Sequence, residues 1–188
     1  YRRPPGGKWS EPVRIVKLAE EYGQAYAGFH TQVDVAPDGT LHAIIDFYEG
    51  ENEVSRGVHQ ATCYSCSRDG GTCWERADGT PVRLPARPED LDTLARNTHP
   101  RHEQLPPPEI RQCGMVVDSH GRPFAVYMNH GIEPGHCVMV TTGTDGLLRE
   151  IPVNSYWEDL HPNMRAVECK TSIREDDMVC VLVTLTPY

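Results

Sequence analysis

The sequence predicts an all-β fold, because of its composition and of one pattern that occurs three times. Sixteen glycines and sixteen prolines separate short runs rich in β-branched and aromatic residues, as is typical of strands joined by turns. Three segments each hold two apolar runs joined by a short polar turn, which is the pattern of a β-hairpin. They are residues 30–47, 111–128 and 165–185, with turns at Asp38-Gly39, Asp118 to Gly121 and Arg174 to Asp177.

Each of the first two hairpins begins a unit of four antiparallel strands. The first is followed by a strand at 58–66 and another near Thr80 to Leu84, and the second by two strands within 135–153. A repeated sheet of four strands is the unit of a β-propeller, in which it is called a blade. The sequence therefore predicts a propeller of four-stranded antiparallel blades.

The repeats divide the chain into half-blades and full blades. We expect a half-blade with the third and fourth strands at 1–27, a full blade at 28–85, a Pro-rich insertion at 86–110, a full blade at 111–160 and a half-blade with the first two strands at 161–188. This makes about three blades, fewer than the four to eight of closed propellers. The prediction is a segment of a larger propeller, and the alternative is that copies assemble and complement one another's half-blades.

Two segments have some helical character. The segment "EPVRIVKLAEEYG" (11–23) is better interpreted as a strand from Val13 to Leu18 that follows a turn. The segment "PEDLDTLARN" (88–97) is expected to form one helical turn within the insertion.

Charge and cysteine content narrow the possible partners. A net charge of −9 argues against a general nucleic-acid binder, which presents basic surface to phosphates. No apolar run approaches the roughly 18 residues of a membrane span. Most of the seven cysteines are expected to be small buried residues. Cys63 and Cys66 would point to opposite faces of a strand, so they would share neither a metal nor a disulfide.

The stretch "SRDGGTCW", Ser67 to Trp74, lies between the third and fourth strands of the first full unit. Asp69 can accept hydrogen bonds from turn amides, the glycines permit conformations closed to other residues, and Trp74 can pack back into the blade. The stretch resembles the Asp-box, S-x-D-x-G-x-T-W, of sialidase-like (BNR-repeat) propellers, with Cys73 where Thr is usual. Weaker copies are residues 1–10 and 143–150. The motif is structural and does not locate an active site.

The resemblance implies a carbohydrate-active protein, since this group contains sialidases and other glycosidases, polysaccharide lyases such as ulvan lyases, and non-catalytic sugar-binding proteins. Residues 29–48, "FHTQVDVAPDGTLHAIIDFY", resemble a segment of BNR-type lyases that reads H-N-x-x-x-x-D-x-D-G-x-L-H. His30 and His42 match its histidines, Thr31 replaces the Asn, and Tyr48 stands where the family has a later His. Lyases of this kind remove the proton α to a uronate carboxylate and expel the 4-linked sugar by β-elimination.

This chemistry needs a base, an acid and a group that stabilises the carboxylate as it becomes enolate-like. The first strand of each propeller blade lies nearest the axis, and its start lines the central pocket. We expect His30 or Tyr127 to act as base or acid, Arg111 to bind the carboxylate, and His130 to support them. Histidine suits acid–base chemistry because its unperturbed pKa is about 6.5. The structural alternatives are a packed Tyr127, an Arg111 that forms a surface salt bridge, and a buried His42.

Two further segments are rich in potential ligands. Some ulvan lyases of this fold are similar in holding a structural zinc, and His130, His136 and Cys137 are the candidate zinc ligands here. The alternative is a hairpin without a metal. The Pro-rich loop at 98–111 carries His99, Arg101 and His102, which could reach over a pocket or belong to a solvated connection.

The leading hypothesis is a polysaccharide lyase that acts on uronate-containing glycans, with a polysaccharide or oligosaccharide as partner. Such an enzyme would be secreted or periplasmic, although the sequence itself leaves the compartment open. The first rival is a sialidase-like hydrolase, which would need a pair of carboxylates. The second is a non-catalytic glycan-binding propeller. Lyase products carry a C4–C5 double bond that absorbs in the near-ultraviolet, which distinguishes the three.

Overall fold

The structure, a computed structural model, describes residues 6–17, 26–49, 58–96, 110–129, 136–158 and 163–187. These residues form twelve β-strands in three antiparallel sheets, with one short α-helix, Ser155–Glu158, and a 3-10 turn, Pro88–Asp90. The prediction of an all-β fold is confirmed. Within the described ranges, no helix is long and apolar enough to cross a membrane.

The first sheet contains six strands. They are β1 (Tyr26–Val35), β2 (Leu41–Glu49), β3 (Val58–Ser67), β4 (Trp74–Glu75), β5 (Pro81–Val82) and β6 (Asp92–Arg96). The sheet order is β1-β2-β3-β4-β5, and β6 also pairs with β3. The turn between β1 and β2 is closed by Asp38, whose carboxylate accepts a hydrogen bond from the Thr40 amide (2.9 Å), and by Gly39 at φ 87°. The predicted first hairpin and the strand that follows it are confirmed.

The fourth strand of this unit was predicted only in part. The strand near Thr80 to Leu84 is reduced to β5, which pairs with β4 rather than with β3. The place beside β3 is taken by β4 and by β6, which lies in the segment expected to be an insertion. The helical turn predicted there forms at Pro88–Asp90, but the chain then becomes a strand because β3 offers a free edge and Ala95 is buried against it.

The strand predicted from Val13 to Leu18 does not form over residues 13–17, and Leu18 lies outside the described residues. Instead Val16 makes an isolated parallel bridge with Ala86. The Ala86 amide donates to the Ile15 carbonyl (2.8 Å), and the Lys17 amide donates to the Ala86 carbonyl (2.7 Å). The ladder cannot extend toward Pro88, which has no amide hydrogen.

The remaining strands form two smaller sheets. The second sheet contains β7 (Ile110–Val117), β8 (Pro123–Asn129), β9 (His136–Thr142) and β10 (Leu148–Pro152), in the order β10-β9-β8-β7. The third is the hairpin of β11 (Met164–Ile173) and β12 (Val179–Pro187). The second and third predicted hairpins and the two strands that complete the second sheet are confirmed.

The first strands of the three sheets lie side by side. The side-chain amide of Gln32 on β1 pairs with the backbone of Met115 on β7, as a neighbouring strand would. It donates a hydrogen bond to the Met115 carbonyl (2.6 Å) and accepts one from the Met115 backbone amide (3.0 Å). Two residues further along β1, the Asp34 carboxylate accepts a hydrogen bond from the backbone amide of Val117 (3.1 Å). On the other side, β7 approaches β11 closely at Gly114 and Thr171. The sheets thus meet in chain order through β1, β7 and β11.

The SRDGGTCW turn has the local geometry that its residues predict. Asp69 accepts hydrogen bonds from the Thr72 and Cys73 amides (both 2.9 Å), and Ser67 donates to Asp69 (3.0 Å). Gly70 and Gly71 have φ of 69° and 88°, a region that favours glycine. Trp74 is 3% exposed and packs in the core of the first sheet.

These hydrogen bonds predict an acid-sensitive contribution of Asp69 to stability. The Cys73 amide, followed by weaker hydrogen bonds, lowers the pKa of Asp69 from 3.8 to about 2. A carboxylate with a lowered pKa stabilises the fold above its unfolded pKa, and this contribution is lost as the pH falls through its folded pKa. We expect the melting temperature of the wild type to exceed that of Asp69→Asn by a constant amount above about pH 5, and the difference to shrink toward pH 2. A difference that is independent of pH would show that the charge of Asp69 has no role.

Candidate functional site

A pocket lies where the three sheets meet. It has a volume of about 220 Å³. It is lined by His30 of β1, Arg111, Gln112 and Cys113 of β7, Met128 of β8, and Glu168, Cys169 and Lys170 of β11. Two of the four predicted catalytic residues, His30 and Arg111, therefore share one pocket although they come from different repeats.

Each first strand is irregular at the residues it gives to the pocket. The register of β1 shifts between Ala27 and His30, that of β7 between Gln112 and Gly114, and that of β11 between Ala166 and Glu168. A β-bulge bends its strand and re-aims the neighbouring side chains, and bulges are frequent beside functional sites. The pocket is thus lined by three adjacent strands, each of which has a register shift at or beside the residues that it gives to the pocket.

The pocket wall is more basic than the chain as a whole. Arg111 and Lys170 are exposed there, and the Lys170 ammonium lies 3.3 Å from the Glu168 carboxylate. Both partners of that ion pair are more than half exposed, so water screens it and it holds Lys170 only weakly. Among the described residues, no acidic side chain forms an ion pair with Arg111. Two cations and one imidazole against one carboxylate suit an anionic group on a ligand.

Behind the pocket lies a buried polar network of Asp46, His59, Thr62 and Gln112. The Asp46 carboxylate is fully buried. It accepts hydrogen bonds from the Thr62 hydroxyl (2.5 Å) and from the backbone amide of Gln112 (3.0 and 3.1 Å to the two carboxylate oxygens). The His59 Nδ1 atom lies 3.2 Å from Asp46 Oδ2, which is close enough for an ion pair, although it lacks the alignment of a hydrogen bond.

This network reaches the pocket through stacked rings. The His30 ring stacks on the His59 ring, with centroids 5.7 Å apart and an interplanar angle of 27°. Tyr48 packs edge-on against His59 at 5.0 Å. His30 at the pocket surface is therefore backed by His59, whose Nδ1 atom lies beside the buried Asp46 carboxylate. The arrangement can bind an anion at Arg111 and Lys170, with the His30 imidazole beside it.

Among the carboxylates, cations and imidazoles of this site, sequence reasoning missed Asp46, His59, Glu168 and Lys170. A signal for Asp46 was present, since it is a carboxylate inside the apolar strand β2, on the same face as the buried Ile44. Such a buried charge needs partners. The other three had no signal in the sequence, because their positions depend on bulges and on strand register.

Tyr127 does not line the pocket. It is 3% exposed, packs against Ile110 and Val140, and donates a hydrogen bond to the Glu150 carboxylate (3.0 Å). Burial, with the Glu150 charge, raises the pKa of Tyr127 well above its usual value. This position matches the alternative in which Tyr127 is a packed core residue, and Tyr127 has no step in the reaction that we propose.

The remaining predicted residues either lie outside the described part of the chain or are buried. His130 and the loop residues His99, Arg101 and His102 lie outside the described residues. His42 is buried and its Nδ1 atom lies 2.7 Å from the Tyr64 hydroxyl, and burial lowers its pKa. Its predicted structural role is consistent with this position.

The proposed zinc ligands are described for one side chain of three. His130 lies outside the described residues, and His136 is described as backbone of β9 alone. The Cys137 thiol is buried and faces the Cys169 thiol at 3.1 Å. Across the side chains that are described, no group of three metal ligands occurs. Zinc binding therefore stays a prediction.

Comparisons with known proteins give a distant structural likeness. No protein-family model matches the chain, and no curated protein matches it. The chain is similar to a solved structure described as a new family of polysaccharide lyase, a PL25 ulvan lyase, with a TM-score of 0.48 and 11% identity over 69% of this chain and 30% of that chain. A structure of such a lyase bound to -[GlcA(1-4)Rha3S]- gives a TM-score of 0.49 with the same identity and coverage. One fold hosts many activities, so the pocket residues must decide the function.

Proposed function

We propose that this chain forms blades of a β-propeller whose pocket binds a uronate unit of an acidic polysaccharide and cleaves the chain there by β-elimination. The observation that carries the proposal is that His30 and Arg111, expected in these roles from two different repeats, line one pocket. A base and a carboxylate-binding cation are the two groups that this chemistry needs most.

The propeller is supported by how the sheets are arranged. Three antiparallel sheets follow one another along the chain, and each meets the next through its first strand. In a propeller the first strands surround the axis, where ligands bind. The pocket draws its residues mainly from β1, β7 and β11, as this geometry requires. The SRDGGTCW turn, with the hydrogen bonds of an Asp-box, supports the BNR-type assignment.

In the proposed reaction, Arg111 and Lys170 bind the uronate carboxylate and stabilise the charge that develops on it. His30 removes the proton from the carbon α to that carboxylate. The electron pair forms the C4–C5 double bond as the bond to the 4-linked oxygen breaks, and that oxygen takes a proton from imidazolium or water. His59, which lies beside the Asp46 carboxylate, stacks on the His30 ring.

The carboxylates of the pocket favour elimination over hydrolysis. A glycosidase of the usual kind needs two carboxyl groups that flank the scissile bond. Among the described lining residues, Glu168 is the single carboxylate, and it pairs with Lys170. A non-catalytic glycan-binding propeller remains the alternative from another class, and it predicts binding without product.

Variants of the pocket cations test the proposal. We expect Arg111→Ala to lower kcat/KM on a glucuronate-containing polymer by at least about 100-fold, the loss typical of removing one donor that stabilises a developing negative charge. The rate of appearance of near-ultraviolet absorbance measures it. The matched control is Arg149→Ala, which removes an exposed arginine that pairs with Asp145 and should leave the rate unchanged. Equal rates for the two variants would contradict the assignment of Arg111.

A further inference from the structure

Three thiols meet where the second sheet packs on the third hairpin. The sulfur of Cys137 on β9 lies 3.1 Å from the sulfur of Cys169 on β11, and the two residues are 0% and 1% exposed. Cys113 on β7 also hydrogen-bonds to Cys169. The surrounding side chains are apolar, with Val126 and Met128 among them. Two sulfurs from different sheets therefore face each other among apolar side chains, and Cys169 also forms part of the pocket wall.

The other buried cysteines have different neighbours. The Cys63 sulfur contacts the Pro88 carbonyl oxygen (3.8 Å) and the Thr93 hydroxyl (3.9 Å). The Cys66 sulfur contacts a Glu75 carboxylate oxygen (3.8 Å). These thiols act as small buried side chains with weak polar contacts. They provide internal controls for any special property of the Cys137 and Cys169 pair.

We propose that Cys137 and Cys169 are a redox-active pair that forms a disulfide on reaction with a hydroperoxide, and that this bond fastens the third hairpin to the second sheet. Their sulfurs need to approach by only about 1 Å to reach the bond length of ~2.05 Å. The β9 and β11 backbones are held by their own ladders. This inference does not depend on the proposed lyase activity.

The reaction is a two-step oxidation. The sulfur of Cys169 attacks the hydroperoxide, the O–O bond breaks, and sulfenic acid and an alcohol or water are formed. The Cys137 sulfur then attacks the sulfenic sulfur, which forms the S–S bond and releases water. The two thiols lose two electrons in all, and the hydroperoxide accepts them.

The position of Cys169 assigns it the first step. Cys169 and Cys113 line the pocket, whereas Cys137 does not, so an oxidant that enters the pocket meets Cys169 before Cys137.

Peptide mapping of the oxidised protein tests the pair. The full chain carries Cys73→Ser and Cys180→Ser, which remove the two exposed thiols and so prevent links between molecules. The folded protein is treated with hydrogen peroxide and then denatured in the presence of an alkylating agent, which blocks the remaining free thiols. It is digested with trypsin without reduction. Cys169 falls in the peptide 166–170, and Cys137 falls with Cys113 in 112–149, because trypsin does not cut between Arg122 and Pro123.

We expect mass spectrometry to find 166–170 linked to 112–149, with fragment ions that place the bond on Cys137. The link should persist in Cys113→Ser and disappear in Cys137→Ser, while Cys63 and Cys66 are recovered alkylated. The oxidised protein should melt roughly 5–10 °C higher than the reduced one, since the bond closes a long loop. Absence of the link, or a bond to Cys113, would overturn the proposal. If Cys137→Ser does not fold, the fragment ions from the protein with only Cys73→Ser and Cys180→Ser still show which cysteine is bonded to Cys169.

Discussion

Replacement of Asp46 by alanine is expected to lower the free energy of unfolding by about 2–5 kcal/mol, because it removes the acceptor of two hydrogen-bond donors inside the protein. The Asp46 carboxylate is the shared acceptor of the Thr62 hydroxyl and the Gln112 backbone amide. The substitution would leave the buried Thr62 hydroxyl and the half-buried Gln112 backbone amide without this acceptor, and each orphaned buried donor costs about 1–3 kcal/mol. It would also remove a link between β2 and β7, because Gln112 belongs to the second sheet. Denaturation by urea measures the change.

The matched control is Asp34→Ala. Asp34 also accepts a hydrogen bond from a β7 amide, that of Val117, but it is only half-buried. Water can replace it, so we expect a loss of about 1 kcal/mol. Asp46→Asn keeps one acceptor oxygen and should lie between the two. If Asp46→Ala were no more destabilising than Asp34→Ala, the hydrogen bonds of Asp46 would not be the main polar interaction that holds the first sheet against the second.

The second large effect is expected for Gly114→Ala. A Cβ added at Gly114 would collide with the Thr171 hydroxyl oxygen of β11, while the Thr171 Cβ would be at an ordinary contact distance of 3.5 Å. Overpacking of this kind costs about 1–3 kcal/mol. Because β7 and β11 also carry the pocket residues, the variant should weaken ligand binding as well. Urea denaturation measures the loss.

A double-mutant cycle separates this clash from other effects of the substitution. Thr171→Ala removes the colliding hydroxyl, so the variant with both changes should recover most of the stability lost by Gly114→Ala. We expect a coupling of about 1 kcal/mol or more between the two positions, as is found for residues in contact. Additive losses would show that β7 and β11 do not approach as closely as described.

The sequence predicted the hairpins well because their turns carry their own chemistry. Asp38 and Gly39 close the first turn by hydrogen bonding and positive φ, and both properties belong to the residue types. It failed at β6, where no turn signal marks the strand. That strand forms because the edge of β3 is available, which is a property of the tertiary structure.

The site was predictable only where a residue starts a first strand. This reasoning found His30 and Arg111, whereas Tyr127 was suggested by its place at the end of a second strand, and it packs in the core. A shift of one residue moves a side chain to the other face of a strand, and bulges produce such shifts. Glu168 and Lys170 reach the pocket beside the register shift in β11, and no feature of the sequence marks that shift.

The most direct test of β-elimination at this pocket is the near-ultraviolet absorbance of a polymer of 4-linked glucuronate after incubation with the purified chain. We expect absorbance to rise with time as unsaturated products form, and His30→Ala to lower the rate by at least about 100-fold. His120→Ala, which changes an exposed histidine paired with Asp177, should not lower it. Cleavage without a rise in absorbance, or binding of the polymer without cleavage, would contradict β-elimination at this pocket.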